Sequence, residues 1–90
     1  VRLVPLAPLF GRFPRLARDI ARALGKSVEL EIEGGEVEVD KSVVDGLFDP
    51  LLHVLRNAVD HGVEAPAARL AAGKPETGTI RLVARPDAAG

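Results

Sequence analysis

The segment that most constrains this chain is residues 49–62, Asp-Pro-Leu-Leu-His-Val-Leu-Arg-Asn-Ala-Val-Asp-His-Gly. At about 100° per residue it sorts into two faces. His53, Arg56, Asn57, Asp60 and His61 fall within an arc of about 140°, and Asp49, one turn earlier, joins them. Leu51, Leu52, Val54, Leu55, Ala58 and Val59 take the opposite side, as do Leu47 and Phe48 upstream. An apolar stripe this wide is the face a helix lays on a sheet or core. The polar face lacks the Lys, Glu and Gln that usually coat a solvated helix. It gathers two imidazoles, an amide, two carboxylates and a fixed cation.

The rest of the chain supplies what such a helix needs to pack against. Residues 1–9 are apolar, but Pro5 and Pro8 disfavour a regular helix and predict an extended lead-in. From Arg12, apolar residues recur at Phe13, Leu16, Ala17, Ile20 and Leu24, a helical spacing with Pro14 in the first turn and Gly25 just past the end. Val28, Leu30 and Ile32 alternate with glutamates, as do Val37 and Val39, and Gly34-Gly35 between them predicts a two-residue hairpin. The glutamates read as a solvated sheet surface that also discourages edge pairing. Asp40 predicts an N-cap for a helix starting near Lys41. Pro50 predicts either a kink or a break, with Asp49 as the cap of a second helix. That helix stops at Gly62. A short Ala-rich helix over residues 67–72, stopped by Gly73, precedes a loop and a strand marked by Ile80, Leu82 and Ala84. Residues 86–90 have turn composition. The order predicts an α/β arrangement, an α+β two-layer sandwich with helices on one face of a mixed sheet.

Composition narrows the function. A net charge of −1 over 90 residues gives no global attraction to nucleic acid or to an anionic membrane. Three Phe and no Trp or Tyr argue against base stacking. The chain has no Cys, hence no disulfide framework, and no run resembling a membrane span or signal peptide. No nucleic-acid partner and no membrane insertion are expected, and the cytoplasm is the expected location. Arg12, Arg15, Arg18 and Arg22 form an early basic cluster, readable as a solvated helix face or a docking surface.

The polar face of residues 49–62 gathers metal-capable oxygens, proton carriers and a fixed cation. Mg²⁺ takes hard oxygen ligands and keeps several waters, so one protein oxygen beside phosphate oxygens is sufficient. The Asn57 amide can supply that oxygen without adding negative charge. A zinc site from His53, Asp60 and His61 would place the histidines two turns apart, roughly 12 Å along the axis, too far for bonds of about 2 Å to one ion. Asp60 and Arg56, at i,i+4, can instead be a simple ion pair. Asp49 can orient the His53 imidazole, and Lys74 can reach a phosphate or cap the preceding helix.

His53-x-x-x-Asn57-x-x-Asp60-His61-Gly62 resembles the N-box of the CheA-type chemotaxis histidine kinases, members of the ATPase superfamily shared with gyrase, Hsp90 and MutL. The flanks are similar too: Leu9-Phe10-Gly11-Arg12-Phe13-Pro14-Arg15-Leu16-Ala17-Arg18-Asp19 before it, and Ala71-Ala72-Gly73-Lys74-Pro75-Glu76-Thr77-Gly78-Thr79-Ile80 after it. The resemblance implies a partial Bergerat-type ATPase fold. Residues 1–90 would be the N-terminal part of a histidine kinase ATP-binding domain, without the Asp-x-Gly-x-Gly adenine-binding box and the glycine-rich lid. It implies ATP and Mg²⁺ as cofactors, with Asn57 as the Mg²⁺ ligand. His53 stands as the catalytic residue where hydrolysing relatives carry a glutamate, and His61, Arg56 and Asp60 line the nucleotide. The parent would be a homodimer that autophosphorylates a histidine on its own phosphotransfer domain. Its further partners would be a response regulator, a coupling protein and chemoreceptors; the fragment alone would be inactive. The alternative is a non-catalytic scaffold or docking module that retains the ATPase fold.

Overall fold

A computed structural model describes residues 1–86. Strand β1 (Leu3–Pro5) leads into a short helix α1 (Ala7–Phe10) and then α2 (Phe13–Ala23). Strands β2 (Val28–Glu33) and β3 (Glu38–Asp40) follow, then helices α3 (Lys41–Asp45), α4 (Phe48–Gly62) and α5 (Pro66–Ala71), and strand β4 (Gly78–Val83). The expected turn over residues 86–90 lies, beyond Pro86, outside the described residues.

The α+β class holds, but the strands pair differently from the local signals. β2 does not form a hairpin with β3. It runs parallel to β4 in a six-residue register from Val28 opposite Gly78 to Glu33 opposite Val83. β3 instead lies antiparallel to β1, with Val4 opposite Val39. Two two-stranded sheets therefore replace the single mixed sheet among the described residues. β4 offers β2 six paired residues, whereas β3 has three to offer, so the non-local partner wins over the nearby one. Gly34-Gly35 still turns the chain, but from one sheet to the other. Gly34 has φ +88°, and a Cβ there would stand 2.0 Å from the Ala84 carbonyl oxygen, so only glycine fits where β2 passes the end of β4. Beyond the turn, the Leu6 N–H donates to Val37 O (3.0 Å) and the Ala7 N–H to Gly35 O (2.8 Å), which attaches the return segment to the N-terminus.

Two further expectations are corrected. Residues 1–9 are not wholly extended: Pro8 sits in the first turn of α1, where an N–H has no intrahelical acceptor to lose. The chain does break near Pro50, but at Gly46-Leu47. Leu47 is the N-cap of α4, and Pro50 is its third residue, still within the first turn. Asp49 is thus inside the helix and caps nothing. Asp40 does cap α3, accepting a hydrogen bond from the Ser42 N–H at 3.0 Å.

The core joins α1, α2 and α4 to β2. Leu6, Leu9, Phe10, Phe13, Ala17, Ala21, Val28, Leu55, Val59 and Val63 are buried, and Leu30, Ile32, Ile80 and Leu82 pack against them from the sheet. Alanine at 17 and 21 lets α2 approach its neighbours closely, since both positions are almost fully enclosed. Phe13 ties α2 to the start of α4, its ring 5.5 Å from that of Phe48. The Arg12 guanidinium lies 4.0 Å from the other ring's centre, Phe48, and adds a cation–π contact. On the outer face of the parallel pair, Glu29, Glu31 and Glu33 stand exposed, and Arg81 bonds across to Glu33 at 3.1 Å. No helix of the described residues is long and apolar enough to cross a membrane.

Candidate functional site

Helix α4 presents the two faces its sequence requires. Leu55 and Val59 are buried, with Leu51, Leu52 and Ala58 half-buried beside them. Val54 departs from the expected pattern: it is 62% exposed, at the rim of an apolar slot between α4 and the β2–β4 pair. Phe13, Leu30, Leu51, Ile80 and Leu82 line the same slot.

On the other side, His53, Arg56, Asn57, Asp60 and His61 are all exposed on one continuous surface. The Asn57 amide nitrogen lies 3.2 Å from His53 Nε2. An amide nitrogen can only donate, so this contact is a hydrogen bond in the tautomer whose Nε2 accepts. The Asn57 Oδ1 is then left as an acceptor for something outside the helix. Asp49, Leu52 and Arg56 line one open hollow together with His53, the Asn57 side chain lying outside its lining. Arg56 and Asp60 line a second with Ile20, Ala23 and Leu24 of the α2 end. Arg56 lines both hollows, a permanent positive charge next in sequence to Asn57.

The structure decides some of the pairings left open by the sequence. Among the described residues no ion pair joins Arg56 to Asp60. Asp60 approaches His61 instead, Oδ2 to Nε2 at 3.5 Å, a contact that becomes an ion pair when the imidazole is protonated. Asp49 shares the hollow with His53, with no hydrogen bond between them among the described residues. The Lys74 side chain neither caps α5 nor stands free. Its amine bonds Glu64 Oε2 at 2.6 Å, while α5 is closed by backbone N–H groups of Ala72, Gly73 and Lys74. Glu64 also accepts from Arg69 Nη1 at 3.1 Å, and Arg69 Nε donates to Pro75 O at 2.7 Å. The hydrogen bond from Lys74, first among several causes, lowers the Glu64 carboxyl from 4.5 to about 2. This clamp ties the segment after α4 to the loop that leads into β4. Among the described residues, no three His, Cys, Asp or Glu side chains gather as a metal-binding group.

One contact to α4 had no signal in the sequence. Lys26, in the loop between α2 and β2, donates to the carbonyl oxygens of Val59 (2.9 Å) and Asp60 (2.5 Å). A lysine one residue past a helix-stopping glycine has many roles open to it, and periodicity favours none of them.

No family model matches the chain. Individual proteins do. The chain is 52% identical over 82 residues to the chemotaxis protein CheA of Treponema pallidum (strain Nichols), a match spanning 91% of this chain and 10% of that protein. It is 49% identical over 84 residues to the chemotaxis protein CheA of Bacillus subtilis (strain 168), spanning 93% and 12%. It is 51% identical over 83 residues to the sensor histidine kinase CheAY of Helicobacter pylori (strain ATCC 700392 / 26695), spanning 92% and 10%. Nearly the whole chain is thus similar, at about half of its positions, to one segment of CheA chemotaxis kinases, and it spans 10–12% of the length of these relatives.

Proposed function

We propose that this chain is the phosphate-side part of the ATP-binding domain of a CheA-type chemotaxis histidine kinase. The observation that carries the reading is the Asn57–His53 contact on the exposed face of α4. It engages the amide nitrogen and leaves the amide oxygen without a protein partner among the described residues, next in sequence to Arg56, a combination suited to a magnesium-bound phosphate chain. Mg²⁺, when bound with the nucleotide, would neutralise phosphate charge and hold the transferring group in line. Asn57 would hold that ion through Oδ1. His53, with Nε2 accepting from Asn57, would donate from Nδ1 toward phosphate oxygen while activating water poorly. That balance suits a kinase that must deliver the phosphoryl group to a histidine rather than to water. Arg56 would attract the phosphates, and Asp60 and His61 would complete the far end of the face. The partners follow from the same reading: a phosphotransfer domain in the same protein, a response regulator, a coupling protein and chemoreceptors.

Footprinting by amide exchange on the intact kinase separates this from a non-catalytic docking role. Mg·ATP should slow exchange along residues 53–61 and leave the Arg15, Arg18 and Arg22 side of α2 unchanged. Protection of α2 alone, or no protection anywhere, would refute the assignment of α4 to the nucleotide.

A further inference from the structure

The end of α4 is built unlike those of its neighbours. In α1, α2, α3 and α5 the cap residue's own N–H closes the last turn. The cap of α4 is Val63, extended at φ −124° and ψ 129°, and its N–H makes no such bond among the described residues. The last carbonyls of a helix need donors from elsewhere, and they carry the negative end of the helix dipole. Here the donor is a side chain 33 residues upstream: Lys26 Nζ reaches both Val59 O and Asp60 O. The ending of α2 brings it there. Gly25 takes φ +69°, and the Lys26 N–H bonds back to Ala21 O at 2.8 Å, closing α2 with a left-handed residue and turning the chain into β2. Lys26 is half-buried, and among the described residues it bonds no carboxylate.

We propose that Lys26 is a positioning residue for the polar face of α4. By capping Val59 and Asp60 with a cation, it fixes the last turn, which carries Asp60 and His61, relative to Asn57 one turn earlier and His53 two turns earlier. The tightness with which that face grips phosphate then depends on a residue that touches no ligand. This rests on the reading of α4 as the phosphate-binding helix. The alternative place for a new site, the cleft bounded by Arg18, Arg22 and Ser27, is weaker, because the Lys26 amine that would complete its charge is already committed to α4.

The test uses the intact kinase with Lys26→Met, which keeps most of the stem and removes the amine, and Lys26→Arg, which restores a donor. Site-resolved amide exchange and Mg·ATP affinity are read side by side. In Lys26→Met, amides of residues 59–63 should lose protection about tenfold, the scale expected for a lost bond from a charged donor. Those of β2 and β4 should be unchanged, and Mg·ATP should bind about tenfold more weakly. Lys26→Arg should recover most of both. Loss of protection spread evenly over the chain would show a general stabilising role and overturn the proposal, as would unchanged exchange at residues 59–63. So would altered exchange with undiminished Mg·ATP affinity, provided Asn57→Ala weakens that affinity. If Asn57→Ala also leaves Mg·ATP binding intact, the nucleotide reading itself falls and takes the ligand half of the proposal with it, while the exchange result still decides the cap.

Discussion

Asn57→Ala should separate activity from stability, and the structure lets both sides be estimated. On the stability side, Asn57 is exposed, and its side chain makes one hydrogen bond among the described residues, to His53 on the same helix. A neutral bond contributes about 0.5–1.5 kcal/mol net, and an exposed one belongs at the low end. Replacing Asn by Ala inside a helix returns roughly 0.5–0.7 kcal/mol of propensity. The two nearly cancel, so the midpoint of thermal unfolding should move by no more than about 4 °C, given roughly 4–8 °C per kcal/mol for a domain of this size. On the functional side, the lost oxygen would have faced a magnesium-bound phosphate, and an interaction with a charged group is worth about 1.5–3 kcal/mol, or roughly 10–150-fold. Autophosphorylation of the intact kinase, measured at subsaturating Mg·ATP beside a melting curve, reads both numbers. Full activity in a folded Asn57→Ala protein would refute the magnesium assignment. A melting point lowered by about 10 °C or more would refute the exposed, near-neutral bond on which the stability estimate rests.

His53→Glu should raise ATP hydrolysis relative to transfer onto histidine, because a carboxylate at that place can act as a base on water; a well-placed base contributes about 10²–10⁴-fold. Phosphate release measured against phosphohistidine checks this, and an unchanged ratio with intact nucleotide affinity counts against the role given to His53. Phe13→Leu should destabilise by about 1–3 kcal/mol, from lost packing and the lost ring pair with Phe48, and a denaturation curve within about 0.5 kcal/mol of the native one would show that the ring is not what joins α2 to α4. The Glu64 clamp gives a pH signature: its folded carboxyl titrates at about 2, below its ordinary value of 4.5. Its stabilising effect is therefore complete above pH 4.5 and fades as the pH falls toward 2. Glu64→Gln should lower the melting point above pH 4.5, and the difference should close with acid; a difference that persists at pH 2 would mean the carboxylate charge is not the cause.

How much of this was legible in the sequence depends on how far apart the interacting residues are. The two faces of α4, the run of α2 to Gly25 and the Asp40 cap rest on contacts within four residues, and periodicity or cap chemistry shows them directly. Within the polar face, the candidate site, spacing alone does not choose the contacts: i,i+4 permits Arg56–Asp60 and Asp49–His53 as readily as His53–Asn57, and among the described residues only the last forms, at 3.2 Å. What periodicity missed spans long stretches of chain. β2 and β4 pair across some fifty positions, a register also marked by the Ser27–Thr77 hydroxyl contact at 2.8 Å, and nothing in the Val-Glu alternation of β2 names its partner. The Gly34-Gly35 signal was real as a turn and misleading as a hairpin, because a turn fixes direction while pairing is decided by which strand offers the longer register. Pro50 misplaced the break by a few residues, since proline forbids a helix interior and not a first turn. Lys26 shows the same division most clearly. Its capping contact joins a loop to a helix 33 residues later, so the sequence displays the face of α4 in full and conceals what holds the end of that face in place.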